Sequence, residues 1–419
     1  MPPNALQSRL LTIWAFGAGI GLWFPALAII QAPLPAQMLD LWVILGWPLA
    51  LWLLPRCPPQ LLIVAALHMA SALVSAAFTG PLSVLPLAHA VISGTGAILL
   101  FGAICGHADA RSGFLSGFLV ATAAMTILAL AQFKLGAETL DFRNNATFRL
   151  PPHMGRAFAL FPEVSSLAIH LLVGAAVAFA SPRAWAWMLG FTCLATLALS
   201  RSTTALLLAP PYLLAAAALH GVGVRRLCAL SVLVAALALL FWLTFFQPRW
   251  ETGAAWRSAS MRLATMLGAA GPLLSGDVFG NGLGQNHTIT PYAYEVAQRL
   301  GLRFGQVPAG INAHIATRLF EEGLPSLVLH ITGALIFLKA WLHPALRGDA
   351  TCRALILLAL GSLLSAGLVS GYRTLYTNWL WLALPAGLLG SCYSPSARKT
   401  AETVLTRIKK SRESDIWER

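Results

Sequence analysis

Ser112-Gly-Phe-Leu-Ser-Gly-Phe-Leu-Val-Ala-Thr-Ala-Ala-Met-Thr-Ile-Leu-Ala-Leu-Ala-Gln132-Phe133 carries no charged residue, and it is flanked by Arg111 and Lys134. A helix crosses the hydrocarbon core of a bilayer with about 20 mostly apolar residues. This stretch has that length and composition, so it reads as a membrane span.

The same window, moved outward along the chain, predicts twelve spans: 10–30, 40–55, 60–78, 84–105, 112–133, 162–180, 184–200, 204–220, 227–247, 322–341, 354–370 and 375–391. The second and the last three are short or interrupted by proline. Composition agrees with this reading. Of 419 residues, 58% are hydrophobic and only 10% charged, whereas soluble domains carry about 25% charged residues. Too little charge is present to coat a water-facing surface, which excludes soluble globular, disordered and coiled-coil classes. The expected fold is an all-α, polytopic transmembrane helical bundle of one membrane domain.

The net charge of +13 comes from 28 Lys+Arg against 15 Asp+Glu. In a membrane protein it reads through its distribution across the bilayer, not as a nucleic-acid footprint. With the N-terminus inside, the short inner loops hold Arg56, Arg111, Arg183, Arg225, Arg226, Arg347 and Arg353. The tail over 394–419 is also basic, while the short outer loops hold only Arg201 and Arg373. An even number of spans then puts both termini in the cytoplasm. The first span is expected to be an uncleaved anchor. The six cysteines show no metal-like spacing, and no metal or cofactor is expected.

Two outer segments are too long to be tight turns: 134–161, and 248–321, a long loop expected to contain short helices. Structureless loops beyond about 12–15 residues usually carry function. These two hold ten cations, Lys134, Arg143, Arg149, Arg156, Arg249, Arg257, Arg262, Arg299, Arg303 and Arg318. No Asp or Glu falls inside a predicted span; Asp40, Glu163, Glu321 and Glu322 are placed at outer ends. His68, His89, His170 and His330 fall inside spans and read as helix–helix hydrogen-bond partners. Ion-coupled transporters usually place acids or histidine relays at mid-membrane, so this pattern disfavours transport.

Three constellations carry candidate chemistry. In Arg156-Ala-Phe-Ala-Leu-Phe-Pro-Glu163-Val-Ser165-Ser166 an arginine precedes a helix start, a place that attracts anions. Glu163 there orients Arg156, accepts a sugar hydroxyl, or simply complements the helix dipole. In the long loop, Trp256-Arg257-Ser-Ala-Ser-Met-Arg262-Leu-Ala-Thr-Met-Leu267 has helical apolar spacing. It is followed by Gly280-Asn-Gly282-Leu-Gly284, which suits a tight turn near a ligand; the plainer reading is an interfacial helix and a turn. In Asn312-Ala-His314-Ile-Ala-Thr-Arg318-Leu-Phe-Glu321-Glu322-Gly323-Leu-Pro325, His314 and Arg318 share one helix face. An outer-face histidine there is suited to general-base work, against the plainer reading of an interfacial polar residue. Arg201 in Ser200-Arg-Ser-Thr-Thr204 either snorkels or lines an anionic pocket.

Taken in order, these features resemble the O-antigen ligase and O-antigen polymerase superfamily of polytopic membrane glycosyltransferases. The pattern covers about residues 140–330. It is Arg before Phe-Pro-Glu, Ser-Arg-Ser-Thr in a turn, Arg before Pro-Leu-Leu-Ser-Gly, then Gly-x-Gly-x-Gly, and an outer His ahead of Glu-Gly-Leu. Pro162-Glu163 stands where the family usually has Glu-Pro, and Ile315 follows His314 where Asn is common. The resemblance implies an active site on the periplasmic face of a bacterial inner membrane, covered by the long loop. It implies an undecaprenyl-diphosphate-linked glycan donor and a sugar or lipid A-core acceptor, with no metal or nucleotide sugar. By motif position Arg156 and Arg262 hold the diphosphate, with Arg149 and Arg257 as near alternatives, and His314 is the base. Glu163, Arg318, Arg201 and Glu321 support them. A flippase and a chain-length regulator are the protein partners expected of a polymerase. The competing classes are a transporter or flippase for a lipid-linked or anionic glycan, and a structural component of an export complex.

Overall fold

The computed structural model describes residues 5–25, 28–30, 36–79, 84–137, 139–143, 157–161, 164–181, 183–200, 202–221, 223, 253–304, 307–308, 310–368 and 376–392. The architecture is helical. The first helices are α1 (Ala5–Gly21), α2 (Met38–Leu53) and α3 (Pro59–Thr79). Next α4 (Val84–His89) runs through a π turn at Ala90–Thr95 into α5 (Gly96–Ile104). Then come α6 (Ala108–Leu135), α7 (Val164–Ala180), α8 (Ala184–Ser200) and α9 (Thr203–Leu219). The remaining helices are α10 (Ala254–Gly268), α11 (Gly271–Leu274), α12 (Thr290–Leu300), α13 (His314–Leu342), α14 (Pro344–Gly348), α15 (Ala350–Leu368) and α16 (Leu380–Cys392).

Helices fall on every predicted span except 227–247, which lies outside the described residues. Among the described residues, six stretches are long and apolar enough to cross a membrane: Met38–Arg56, Pro59–Phe78, Pro86–Ile104, Ala108–Leu135, His314–Leu342 and Ala350–Leu368. The remaining apolar helices, such as Val164–Ala180 and Leu380–Cys392, are shorter. Residues of the quoted stretch occupy α6, which packs along α1. Gly19 and Gly117 let the two backbones meet: a Cβ on Gly19 would lie 2.7 Å from the nitrogen of Phe118. Close approach through small residues is how apolar helices associate without a hydrophobic driving force.

Two sequence expectations are corrected here. The first span does not run through 30. Its helix ends at Gly21, and Ala28–Ile30 pairs antiparallel with Ala36–Gln37 in a minimal two-stranded sheet. The predicted span 322–341 belongs to a helix that already begins at His314. Glu321 and Glu322 close the helical segment that ends at Gly323 and are fully buried.

That helix is broken once. Gly323 has φ 60° and ψ −136°, which only glycine tolerates readily, and Pro325 follows it. Pro325 has no N–H to give the carbonyl of Glu321, and the amide of Leu324 turns away to the carbonyl of Val278 at 2.8 Å. The freed acceptors are met from outside the helix. The Asn281 amide donates to Phe320 O at 2.8 Å, and the Gly282 amide to Glu321 O at 3.0 Å. Ser75 Oγ donates to the same Glu321 carbonyl at 2.7 Å. The glycine turn at 280–284 thus replaces the hydrogen bonds the break removes, as buried backbone groups require.

Residues 253–313 contain α10, α11 and α12. These pack on the first half of α13 around a small apolar core of Ala264, Ala269, Ile289, Ala293, Ala297, Ile311, Ala313, Ala316 and Phe320.

Candidate functional site

The densest buried polar cluster among the described residues surrounds Arg318. Its guanidinium pairs with the Glu322 carboxylate one helical turn on. A second nitrogen, Nη1, donates to His68 Nε2 at 3.0 Å. That fixes the His68 proton on Nδ1, which donates to Thr95 Oγ1 at 3.2 Å. Ser71 Oγ donates to the Glu322 carboxylate at 2.5 Å. Arg318, Glu322, His68 and Ser71 are all essentially inaccessible to solvent. Buried charges survive only when paired and hydrogen-bonded, and each of these residues supplies part of that requirement. Among the described residues, Arg318 Nε and Glu322 Oε1 still meet no hydrogen-bond partner.

Trp379, just ahead of α16, is the hub of the cluster. The His68 ring meets it edge-on at 4.5 Å, and the His314 ring meets it edge-on at 4.6 Å. The Arg318 guanidinium carbon lies 5.0 Å from its ring centre. His314 and Arg318 therefore do share one helix face, as their spacing predicts. His314 is, however, fully buried, not on an open outer face. The edge of Trp379 and the packing of Ala313 and Ala316 into the loop module enclose it. Glu321, one residue before Glu322, accepts the Asn286 amide at 3.1 Å and so ties the long loop to the helix.

The sequence reading makes His68 a helix–helix hydrogen-bond partner, and it is one, to Arg318 of α13; that reading assigns no role to Trp379. Both belong to the cluster. In the fold, the π turn over Ala90–Thr95 widens the helix where Gly94 faces His68, with a Cβ on Gly94 reaching within 2.7 Å of the His68 ring. Such wide turns recur at functional positions.

The other predicted site residues are distributed as follows. Arg149, Arg156, Glu163 and Arg201 lie outside the described residues. Arg257 and Arg262 are both on α10; Arg257 is exposed and Arg262 half-buried. Arg262 Nη1 is shut off from solvent and meets no acceptor among the described residues. A buried guanidinium nitrogen without a partner requires an explanation, and an anionic oxygen is the partner it is built to take. Arg262 stands two residues before Ala264, and His314 follows Ala313; both alanines belong to the same small core. The fold thus brings these distant segments to one module.

The segment over 134–161 neutralises one of its own cations. Arg143 makes a two-pronged pair with Asp141, Nε to Oδ1 and Nη2 to Oδ2, each 2.9 Å. It also covers the Phe158 ring at 3.7 Å. Gln132 clamps the far end of that segment. Its Oε1 accepts the amides of Phe158 and Ala159 at 3.0 and 2.7 Å.

No protein-family model matches the chain, and no curated protein matches it.

Proposed function

We propose that the chain is a membrane glycosyltransferase of O-antigen or exopolysaccharide assembly. In this reading it transfers an oligosaccharide from undecaprenyl diphosphate to a sugar hydroxyl, as a polymerase or a ligase. The site lies on the periplasmic face of the bacterial inner membrane, in a bundle of about twelve spans with both termini cytoplasmic.

The observation that carries the reading is the buried, unpartnered Arg262 Nη1 on the module that also holds His314. An arginine of this kind suits a diphosphate oxygen. As the acceptor oxygen forms its bond to the anomeric carbon, the bond from that carbon to the diphosphate breaks, and its electron pair leaves with the lipid diphosphate. Arg262 and Arg156, with Arg149 and Arg257 as the alternatives to them, stabilise that developing charge; oriented donors of this type are worth about 3–4 kcal/mol each. The proton of the acceptor hydroxyl passes to His314. Arg318 is already engaged by Glu322 and His68, so its role is to hold α13 and Trp379 in place beside His314. Because His314 is buried, the acceptor reaches it only when part of its cover moves.

A second reading, a flippase for the same lipid-linked anion, draws on the break at Gly323. It is favoured by buried Arg318 and Glu322 on a broken helix, a feature of transport sites at mid-membrane. The two readings part in vesicles containing the purified protein and a lipid-linked repeat unit. Transfer gives a longer glycan and free undecaprenyl diphosphate, and His314→Ala abolishes both. Movement of the repeat unit between leaflets with no new glycosidic bond supports the flippase and overturns the transferase.

A further inference from the structure

Helix α10 has its polarity reversed with respect to water. Trp256, Ala259, Leu263 and Leu267 recur at spacings of three and four, so they form one stripe, and all four are exposed. Leu263 is 44% and Leu267 49% accessible, and Leu274 just beyond is 84% accessible. The polar Ser260 and Thr265 of the same helix are buried instead. A module facing water on this side would carry the opposite arrangement. Helix α12, packed against α10, does carry it: Glu295 and Arg299 form an exposed ion pair at 2.6 Å.

A second apolar surface lies where the residues after α11 meet α3 and α13. Phe279 stacks on Phe78, at the end of α3, with ring centres 4.1 Å apart and planes 12° apart. Val278 and Phe279 share an apolar groove with Leu67 and Val74 of α3 and with Leu324 and Val328 of α13. Arg257 is exposed beside the stripe, where a lipid phosphate complements it.

We propose that α10 is an interfacial helix that lies on the bilayer, with Trp256, Leu263 and Leu267 in the boundary between headgroups and acyl chains. The occupant of the stripe is phospholipid. Amphipathic helices bind bilayers in this way, through buried apolar area plus basic residues. The inference is independent of the chemistry proposed above. It assigns the long-loop module a membrane contact of its own and puts Arg262 at the level of lipid phosphates.

The test uses the full chain in phosphatidylethanolamine–phosphatidylglycerol vesicles. An environment-sensitive fluorophore is attached to Leu263→Cys, Leu267→Cys or Glu295→Cys, and labelling of the unsubstituted chain is subtracted. Nitroxide-bearing phospholipid is expected to quench the 263 and 267 probes, with iodide in the water leaving them bright. The 295 probe, on the exposed ion pair, is expected to behave in the opposite way. Iodide quenching at 263 and 267 overturns the proposal by putting the stripe in water. Protection of these probes from both quenchers also overturns it, because a protein surface then covers the stripe.

Discussion

Gly280 and Gly323 each occupy the space the other's side chain would need. A Cβ on Gly280 would lie 2.6 Å from the nitrogen of Gly323, and one on Gly323 would lie 2.5 Å from the nitrogen of Gly280. Both have positive φ, 77° and 60°. The glycine turn of the long loop and the break in α13 are therefore one joint.

Alanine at either position meets two costs: about 1–2 kcal/mol for the left-handed backbone, and about 1–3 kcal/mol for forcing atoms into a filled space. Gly280→Ala and Gly323→Ala are each expected to lower stability by roughly 2–5 kcal/mol. Thermal unfolding in detergent measures this. Gly276, also at positive φ but with nothing within 4 Å of its Cβ, is expected to lose only the backbone part when changed to Ala.

Removing one member of the Arg318–Glu322 pair leaves the other charge buried, a loss of about 3–5 kcal/mol. Arg318→Met and Glu322→Leu are each expected to reduce folded protein sharply. The double substitution is expected to recover much of the loss, since no uncompensated charge remains. Additive losses in this cycle would mean that the two side chains are not coupled.

His68 is the acceptor for Arg318 Nη1. Hydrogen bonds to charged groups contribute about 1.5–3 kcal/mol, so His68→Ala is expected to destabilise by that amount. Thr95→Val removes only the neutral partner of Nδ1 and is expected to cost about 1 kcal/mol. Equal effects of the two variants, read by the same unfolding assay, would contradict the tautomer assigned to His68.

These residues also show what the sequence discloses and what it hides. The run over 112–133 predicts α6 to within a few residues because it is long, uncharged and flanked by cations. The start of α13 is missed for a related reason. Arg318, Glu321 and Glu322 look like a membrane boundary when only neighbours in the chain are considered. They are tolerated in a buried position because Ser71 and His68 arrive from about 250 positions away to cover them. The i,i+4 spacing of His314 and Arg318 is local, and their shared face is legible. Trp379, which joins them, carries no local mark. The overrun of the first span past Gly21 has the same origin as the success at α6: an apolar run shows burial but not whether a helix continues.

Cys57, between α2 and α3, has its thiol pushed up by burial from 9.0 to about 11. A raised pKa keeps it protonated at neutral pH, and the thiolate is the reactive form. Alkylation of Cys57 at pH 7–8 is expected to be about 100-fold slower than that of an unperturbed thiol, from the two-unit difference. The rate is expected to rise through pH 11. Mass spectrometry of the modified peptide follows it, and fast labelling at neutral pH would show that the segment opens.

In the proposed function, the module holding Arg262 and His314 breaks a glycosyl–diphosphate bond. The most direct measurement is in cells lacking the chain, complemented with His314→Ala, Arg262→Ala or Arg156→Ala at matched membrane abundance. Surface glycan and the leaflet that holds the lipid-linked repeat unit are read together. The expected result is lost polymer, with the repeat unit accumulated on the outer leaflet. Full glycan in all three variants, or a repeat unit trapped on the inner leaflet, would contradict the claim.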